Sequence, residues 1–239
     1  MALAPSDLPK EAACIAPIPV PTYGAGGNFT VACTTEIAGS ALSCLEKVLD
    51  LPHYGTWNTF IPRAEVLLKP GPTDQTSSSH DAPKLPPEVQ ALISRPGFIS
   101  PGARIKFEAV MSGSSSRSVE LEVSFLETFT PNEHEAGDGD GDGHPIGDAK
   151  GTRTTINGTA YRVAWKGTFT PGFMLRSERV QEFVEYVAAD GSVWTRYSNW
   201  ETFGGLLGYV LPREQIVAGF QKWTTGLKEA VEGEGQQGK

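Results

Sequence analysis

The residues best suited to chemistry lie close together near the C-terminal end of the chain. From Val193 to Phe203 the residues alternate, with Val193, Thr195, Tyr197, Asn199, Glu201 and Phe203 on one side and Trp194, Arg196, Ser198, Trp200 and Thr202 on the other. A carboxyl, a phenol and an amide sharing a face with apolar neighbours is the composition of an apolar ligand cavity with a few convergent polar groups. An edge strand half in water has the same composition. On the cavity reading Glu201 is the candidate acid or base, because a carboxyl walled by Tyr197, Phe203 and a helix is desolvated and its pKa rises toward the range useful for proton transfer. Tyr197 is its expected catalytic partner, and Asn199 is placed to hydrogen-bond a ligand carbonyl or enolate. The competing reading pairs Glu201 with Arg196 or another surface cation.

Other candidates are weaker in pattern. Arg63 follows the aromatic segment LPHYGTWNTFI and is a candidate cation at a cavity mouth, although exposed arginines are common. Trp57 and Phe60 in that segment suit a wall or a core. Phe107, Tyr161, Trp165, Phe203, Phe220 and Trp223 are the further large side chains expected around a ligand. His53 titrates near neutrality if it is placed to act, but a lone loop histidine is usually just solvated. Asp138, Asp140 and Asp142 imitate the start of a calcium loop, yet position 12 is Ala149 where a bidentate glutamate is needed. His80, His134 and His144 have no regular spacing to Cys or carboxylates, so no metal site is expected. No phosphate loop, nucleophile elbow or dinucleotide fingerprint occurs, and no cofactor is expected.

Composition narrows the partners. The chain has 239 residues, 39% of them hydrophobic, and a net charge of -8. Without a basic stripe, nucleic acid and anionic membranes are disfavoured partners. No apolar run approaches the roughly 20 residues of a membrane span. Asp7, Lys10 and Glu11 interrupt the place of a secretory apolar region, and the three cysteines (Cys14, Cys33, Cys44) lack metal-type spacing. A reduced, cytoplasmic protein is expected, with the sequons at Asn28 and Asn157 as chance matches.

The elements that must hold these residues are legible in outline. Residues 1–27, rich in Pro, Ala and Gly, form a flexible or strapped-on leader. Phe29, Val31, Cys33, Thr35 and Ile37 share one face of a strand, and Ala41 to Leu49 forms a short amphipathic helix. Strands are expected near Arg63–Leu68, Arg104–Met111, Val119–Phe125, Tyr161–Lys166, Arg179–Ala189 and Val193–Phe203, with a helical scrap at Pro86–Ser94. Long loops span 69–102 and 131–158, the second acidic and Gly-rich. A final helix runs from about Pro212 to Val231, with Ile216, Phe220, Trp223, Leu227 and Val231 in one apolar stripe. Seven antiparallel strands exceed what one helix covers on a flat sheet. The sheet must therefore curl around the helix, and a curled sheet leaves internal space.

Phe29 to Ile61, WKGTFTPGFMLRSERVQEF, TRYSNWETFGGLLGYVL and GFQKWTTGLKEAVE, in that order, resemble the opening, middle strands, last strand and C-terminal helix of the SRPBCC superfamily (START, Bet-v-one-like and polyketide cyclase/dehydrase-like proteins). The resemblance covers roughly residues 28–233 as one domain, leaving 234–239 as a tail. RVQEFVEY and YSNWETFGG are similar to small uncharacterised members common in fungi. The resemblance implies an α+β helix-grip fold with a hydrophobic pocket between sheet and helix. It also implies an apolar small-molecule partner, with members that carry lipids, hormones or polyketides and some that close rings or remove water. The superfamily has no common catalytic set, so function must come from the site. Two readings remain: a cofactor-independent cyclase, dehydratase or isomerase of polyketide- or terpenoid-like substrates, and a non-catalytic carrier or sensor. A co-chaperone-type interaction module is a third, and it would have a filled interior and an exposed apolar patch.

Overall fold

The computed structural model describes residues 8–70, 85–111, 116–131, 155–168 and 170–237. The elements follow in the order β1 (Ala13–Ile15), β2 (Phe29–Ala38), α1 (Ala41–Leu49), α2 (Tyr54–Trp57), β3 (Arg63–Leu68), α3 (Pro87–Ile93), β4 (Arg104–Val110), β5 (Ser116–Phe129), β6 (Thr155–Gly167), β7 (Arg176–Val187), β8 (Val193–Gly204) and α4 (Arg213–Gln237). All strands pair antiparallel in a single sheet of order β1-β2-β8-β7-β6-β5-β4-β3. This is a helix-grip fold. The strand count is eight, not seven, because the leader contributes β1 on the outer edge of β2. Three residues are too few for alternation to show in sequence. The acidic loop also ends sooner than expected, since Thr155–Gly158 already belongs to β6.

The sheet curls for a local reason. Register shifts interrupt the ladders at Val66/Leu68, Val123/Phe125 and Ile156/Ala160. Each bulge bends its strand and increases the local twist. The concave face receives α4, which lies chiefly against β2. Helix and strand are tied by Cys33 Sγ and Thr224 Oγ1 (3.1 Å) and by the Ala38 amide donating to Glu232 Oε1 (3.0 Å). Glycines let the aromatic turn press against the helix: a Cβ at Gly226 would meet the Trp57 carbonyl oxygen at 2.4 Å, and one at Gly219 would meet the Phe60 ring at 2.4 Å. The C-terminal half of α4 is packed solid, with α1, α2 and α3 burying Leu45, Leu49, Tyr54, Val89 and Leu92 against Leu227 and Val231.

The convex face is covered too. Leu8, Ile18 and Val20 of the leader pack on Ala32, Ala164, Val180 and Trp200. A small polar clamp holds them: the Ile18 amide donates to Thr30 Oγ1 (2.9 Å), the Thr202 hydroxyl donates to the Ile18 carbonyl (2.8 Å), and the two threonine hydroxyls lie 2.6 Å apart. Further along, the Thr22 amide and hydroxyl both donate to the buried Glu178 carboxylate at 2.7 Å. The leader is therefore strapped on from residue 8. Because β7 and β8 are buried on both faces, neither can divide into an apolar and a polar side. That is why their sequences mix the two.

Candidate functional site

Side chains at alternate positions of β4 to β8 point to the concave face, where α4 does not fill all the space. Between the N-terminal half of α4 and the sheet lies a cavity of about 310 Å³. Phe107, Leu121 and Trp165 supply its sheet wall, Ile216 and Phe220 its helix wall, and Phe60 closes one side. Ser177, Arg179 and Glu201 bring polar atoms to the same lining. Behind it stands an aromatic partition, with the Trp223 ring edge-on to Tyr54 (5.4 Å) and Trp57 (5.3 Å) and the Phe107 ring edge-on to Trp165 (5.6 Å). This partition separates the cavity from the packed core, so the hollow occupies only one end of the sheet.

Next to the lining residues Leu175 and Leu211, two loops are joined through backbone hydrogen bonds. The amides of Leu206 and Leu207 donate to the carbonyls of Phe173 and Met174 at 3.1 and 2.8 Å. Gly205 makes this close approach possible, since φ is +89° and a Cβ there would meet the Met174 carbonyl oxygen at 2.6 Å. Phe173, Leu206, Tyr209 and Val210 of these loops are all about 70% exposed or more. Leu175, Leu211 and Pro212, which follow these loops, belong to the lining.

Glu201 lies on the cavity wall and is half-buried. Its register neighbours are Val31 on β2 and Arg179 on β7. Desolvation pushes its carboxyl above the usual carboxylate range; the positive charge of Arg179 and the Ser177 hydroxyl pull it part of the way back. Arg196 lies on the opposite face, with Nε 3.6 Å from Glu36 Oε1, so the expected alternative of a Glu201–Arg196 pair is corrected.

Arg179 was missed by sequence reasoning and is the central polar group of the site. It is 4% exposed. Its Nε donates to Asn199 Oδ1 at 2.9 Å, and the guanidinium carbon sits 4.2 Å from the ring centroids of both Phe220 and Trp223. No carboxylate among the described residues forms an ion pair with it, and its Nη2 is buried without a hydrogen-bond partner. Alternation alone would have put Arg179 on a face with Gln181 and Phe183. Only the β7–β8 register brings it beside Glu201.

The other expected residues separate into lining and support. Phe60, Phe107, Trp165, Phe220 and Phe203 line the cavity, the last stacked on Phe29 at 4.9 Å. Tyr197 does not line it. Its hydroxyl donates to Gln181 Oε1 (2.5 Å) and accepts from Trp223 Nε1 (2.9 Å), and its ring stacks on Phe183. Burial holds that phenol well above its ordinary pKa. The expected Glu201–Tyr197 pair is thus corrected, because the tyrosine lies deeper along the strand with its hydroxyl already committed. Asn199 is likewise behind the lining, as the support of Arg179. Trp57 and Trp223 belong to the partition. Tyr161 is buried away from the cavity, with its phenol pushed up to about 12 by desolvation and by the nearby carboxylates of Glu88 and Glu185. Arg63 is exposed, pairs with Glu108 at 2.8 Å and borders a separate surface cleft, so it does not border this cavity.

His53 is exposed with Nδ1 2.8 Å from the Asp50 carboxylate, away from the cavity. The Asp138, Asp140 and Asp142 run and His80, His134 and His144 lie outside the described residues. Of the long segment 69–102, the described part does not reach the lining; α3 instead plugs the packed end of the sheet through Val89 and Leu92. Among the described residues, no helix is long and apolar enough to cross a membrane.

No protein-family profile matches the chain, and no curated protein matches it. Solved structures do resemble it. A hypothetical protein, jhp0584 from Helicobacter pylori, shares 14% identity at a TM-score of 0.50, covering 84% of this chain and 87% of that one. A START superfamily protein from Mycobacterium smegmatis shares 16% at 0.44, covering 85% and 97%. The Zhui aromatase/cyclase from Streptomyces sp. R1128 shares 13% at 0.43, covering 87% and 93%. At these identities the likeness is one of fold alone.

Proposed function

We propose that this chain, a helix-grip protein of SRPBCC type, encloses a hydrophobic small molecule and acts on it without a cofactor, by cyclisation, dehydration or isomerisation of a polyketide- or terpenoid-like substrate. One observation carries the reading: a half-buried carboxyl, Glu201, faces an apolar cavity without being neutralised by an ion pair. A carboxyl whose pKa is raised toward neutrality is a better proton acceptor than one in water and still releases the proton again. In its ionised form Glu201 takes a proton from a carbon next to a substrate carbonyl, and the resulting enolate develops its charge beside Arg179. The protonated Glu201 then returns that proton to a departing hydroxyl, which leaves as water, or to another carbon, which completes an isomerisation. The aromatic walls orient the chain and exclude water from this step.

A carrier or sensor is the second reading. It is favoured by the position of Tyr197, which leaves Glu201 without the tyrosine as a proton-transfer partner on the lining. The interior is not filled, which weighs against the interaction-module reading.

The test has two stages. Native mass spectrometry of the purified protein should reveal a co-purifying apolar molecule, and the neutral probe N-phenyl-1-naphthylamine should brighten on binding. If neither binds, the cavity reading is lost. For a captured molecule that the wild type converts, Glu201→Gln should slow turnover by about 10²-fold or more with little change in affinity. Unaltered ligand with both proteins would leave the carrier reading standing and end the catalytic one.

A further inference from the structure

The cavity lining contains a cation that no described carboxylate meets at ion-pair distance, Glu201 acting on it only at longer range. Arg179 is 4% exposed, and every described carboxylate lies beyond ion-pair contact with it. Burying an arginine is costly unless its charge is paired and its N–H groups are bonded. Here only part of that is met. Nε is taken by Asn199 Oδ1 at 2.9 Å, and the rings of Phe220 and Trp223 contribute their π-faces at 4.2 Å. Aromatic rings soften the charge but supply no lone pair in the plane of the guanidinium fork. Nη2 remains without a partner although its residue is part of the cavity lining.

The supporting bonds hold this arrangement in place. Asn199 is wholly buried on the next strand, so its carbonyl oxygen fixes the Nε side of the fork. Tyr197, Gln181 and Trp223 form a second buried layer behind, through the 2.5 and 2.9 Å bonds at the Tyr197 hydroxyl. The Tyr197 hydroxyl of that layer also interacts with the guanidinium, which leaves Nη2 as its unpartnered end. What the site lacks is an acidic oxygen supplied from the cavity, and apolar walls surround the place it would occupy.

We infer that the ligand is an apolar molecule with one acidic oxygen group, a carboxylate or an acidic enol or phenol, that seats this oxygen on the Arg179 guanidinium. The inference rests on the cavity reading above and adds the chemical class of what enters. Arg179 acts as the specificity-determining residue, since an N–H···O⁻ bond in a water-poor site discriminates strongly against a ligand of the same shape without the charge. Glu201, the register neighbour of Arg179, faces the same group. The acidic group is thus set next to a side chain able to exchange a proton with it.

Calorimetry on the full chain tests this with matched pairs: dodecanoate against methyl dodecanoate for a flexible acid, 2-naphthoate against its methyl ester for a compact aromatic one, and 1-hydroxy-2-acetonaphthone against its O-methyl ether for an acidic phenol. Within at least one pair the wild type should bind the acidic member about 10- to 100-fold more tightly, the range of a hydrogen bond to a charged group. Arg179→Met should remove that preference, so that each acid and its ester or ether bind within about threefold of one another. Arg179→Lys, which keeps the charge but not the fork, should retain only part of it. If esters and ethers bind as well as their acids, the inference fails and the cavity reading survives. Retention of the preference by Arg179→Met would also overturn it, because another group would then read the acid. If no member of any pair binds, the cavity reading fails with it. Should Arg179→Met not fold, the wild-type ratio and Arg179→Lys still decide.

Discussion

Arg179 Nε and Asn199 Oδ1 are joined by a 2.9 Å hydrogen bond between adjacent strands, both residues being buried. That bond holds the guanidinium at the cavity lining. Asn199→Leu should leave a second buried donor of Arg179 unsatisfied, at a cost of about 1–3 kcal/mol. Urea denaturation should show the midpoint falling accordingly. An unchanged midpoint would mean that the arginine finds another acceptor and that Asn199 does not hold it.

The Glu201 carboxyl is raised above its usual range, chiefly by desolvation. The folded protein therefore holds this proton more tightly than the unfolded chain, whose glutamate titrates near 4.5. Its contribution to stability is fully present below that value and is lost as pH rises through the folded-state pKa. Relative to Glu201→Gln, the wild type should become progressively less stable as pH rises above about 4.5. Urea midpoints of both proteins across that range check the sign; a wild type that gains on the variant with rising pH would contradict the assignment.

The contact of α4 with the aromatic turn allows no side chain at Gly226, where a Cβ would meet the Trp57 carbonyl oxygen at 2.4 Å. Gly226→Ala should cost about 1–3 kcal/mol through overpacking. Gly233, on the same helix, is exposed with nothing within 4 Å of a Cβ. Gly233→Ala should instead stabilise by up to about 1 kcal/mol through helix propensity. Thermal melts of the two variants should move in opposite directions.

The leader is part of the folded body. Thr30→Val removes the hydroxyl that accepts from the Ile18 amide and faces Thr202. It should lower stability by about 1–3 kcal/mol and speed hydrogen exchange at Ile18. Removing residues 1–23 should expose Trp200 on the convex face, seen as a red shift of tryptophan fluorescence. A truncated chain with unaltered emission and melting would show that the strap is dispensable.

Much of the scaffold was legible in sequence. The helix Ala41–Leu49 and the strand Arg63–Leu68 begin and end where the pattern puts them, the helix with one buried face and the strand with Ala64 and Val66 half-buried between exposed neighbours. The stripe of α4 likewise marks its buried side, with Phe220, Trp223, Leu227 and Val231 all in the interior. β1 was not legible: it is three residues long, and its place depends on an edge of β2 that exists only after folding. Placing Glu201, Asn199 and Tyr197 on one face followed from alternation. Their depth did not, since alternation says which side a residue faces and nothing about how far along the strand the partner helix leaves space.

The amino-acid order by itself determined the elements, their faces and the need for a sheet curled about one helix, since these rest on local periodicity and on the ratio of apolar area to cover. The tertiary structure decided which inward residues meet the hollow. The β7–β8 register sets Arg179 beside Glu201, and the packing of Trp223 against Tyr54, Trp57 and Trp165 withdraws Tyr197 from it. Both depend on contacts between residues distant in the chain, where no short-range repeat carries the information.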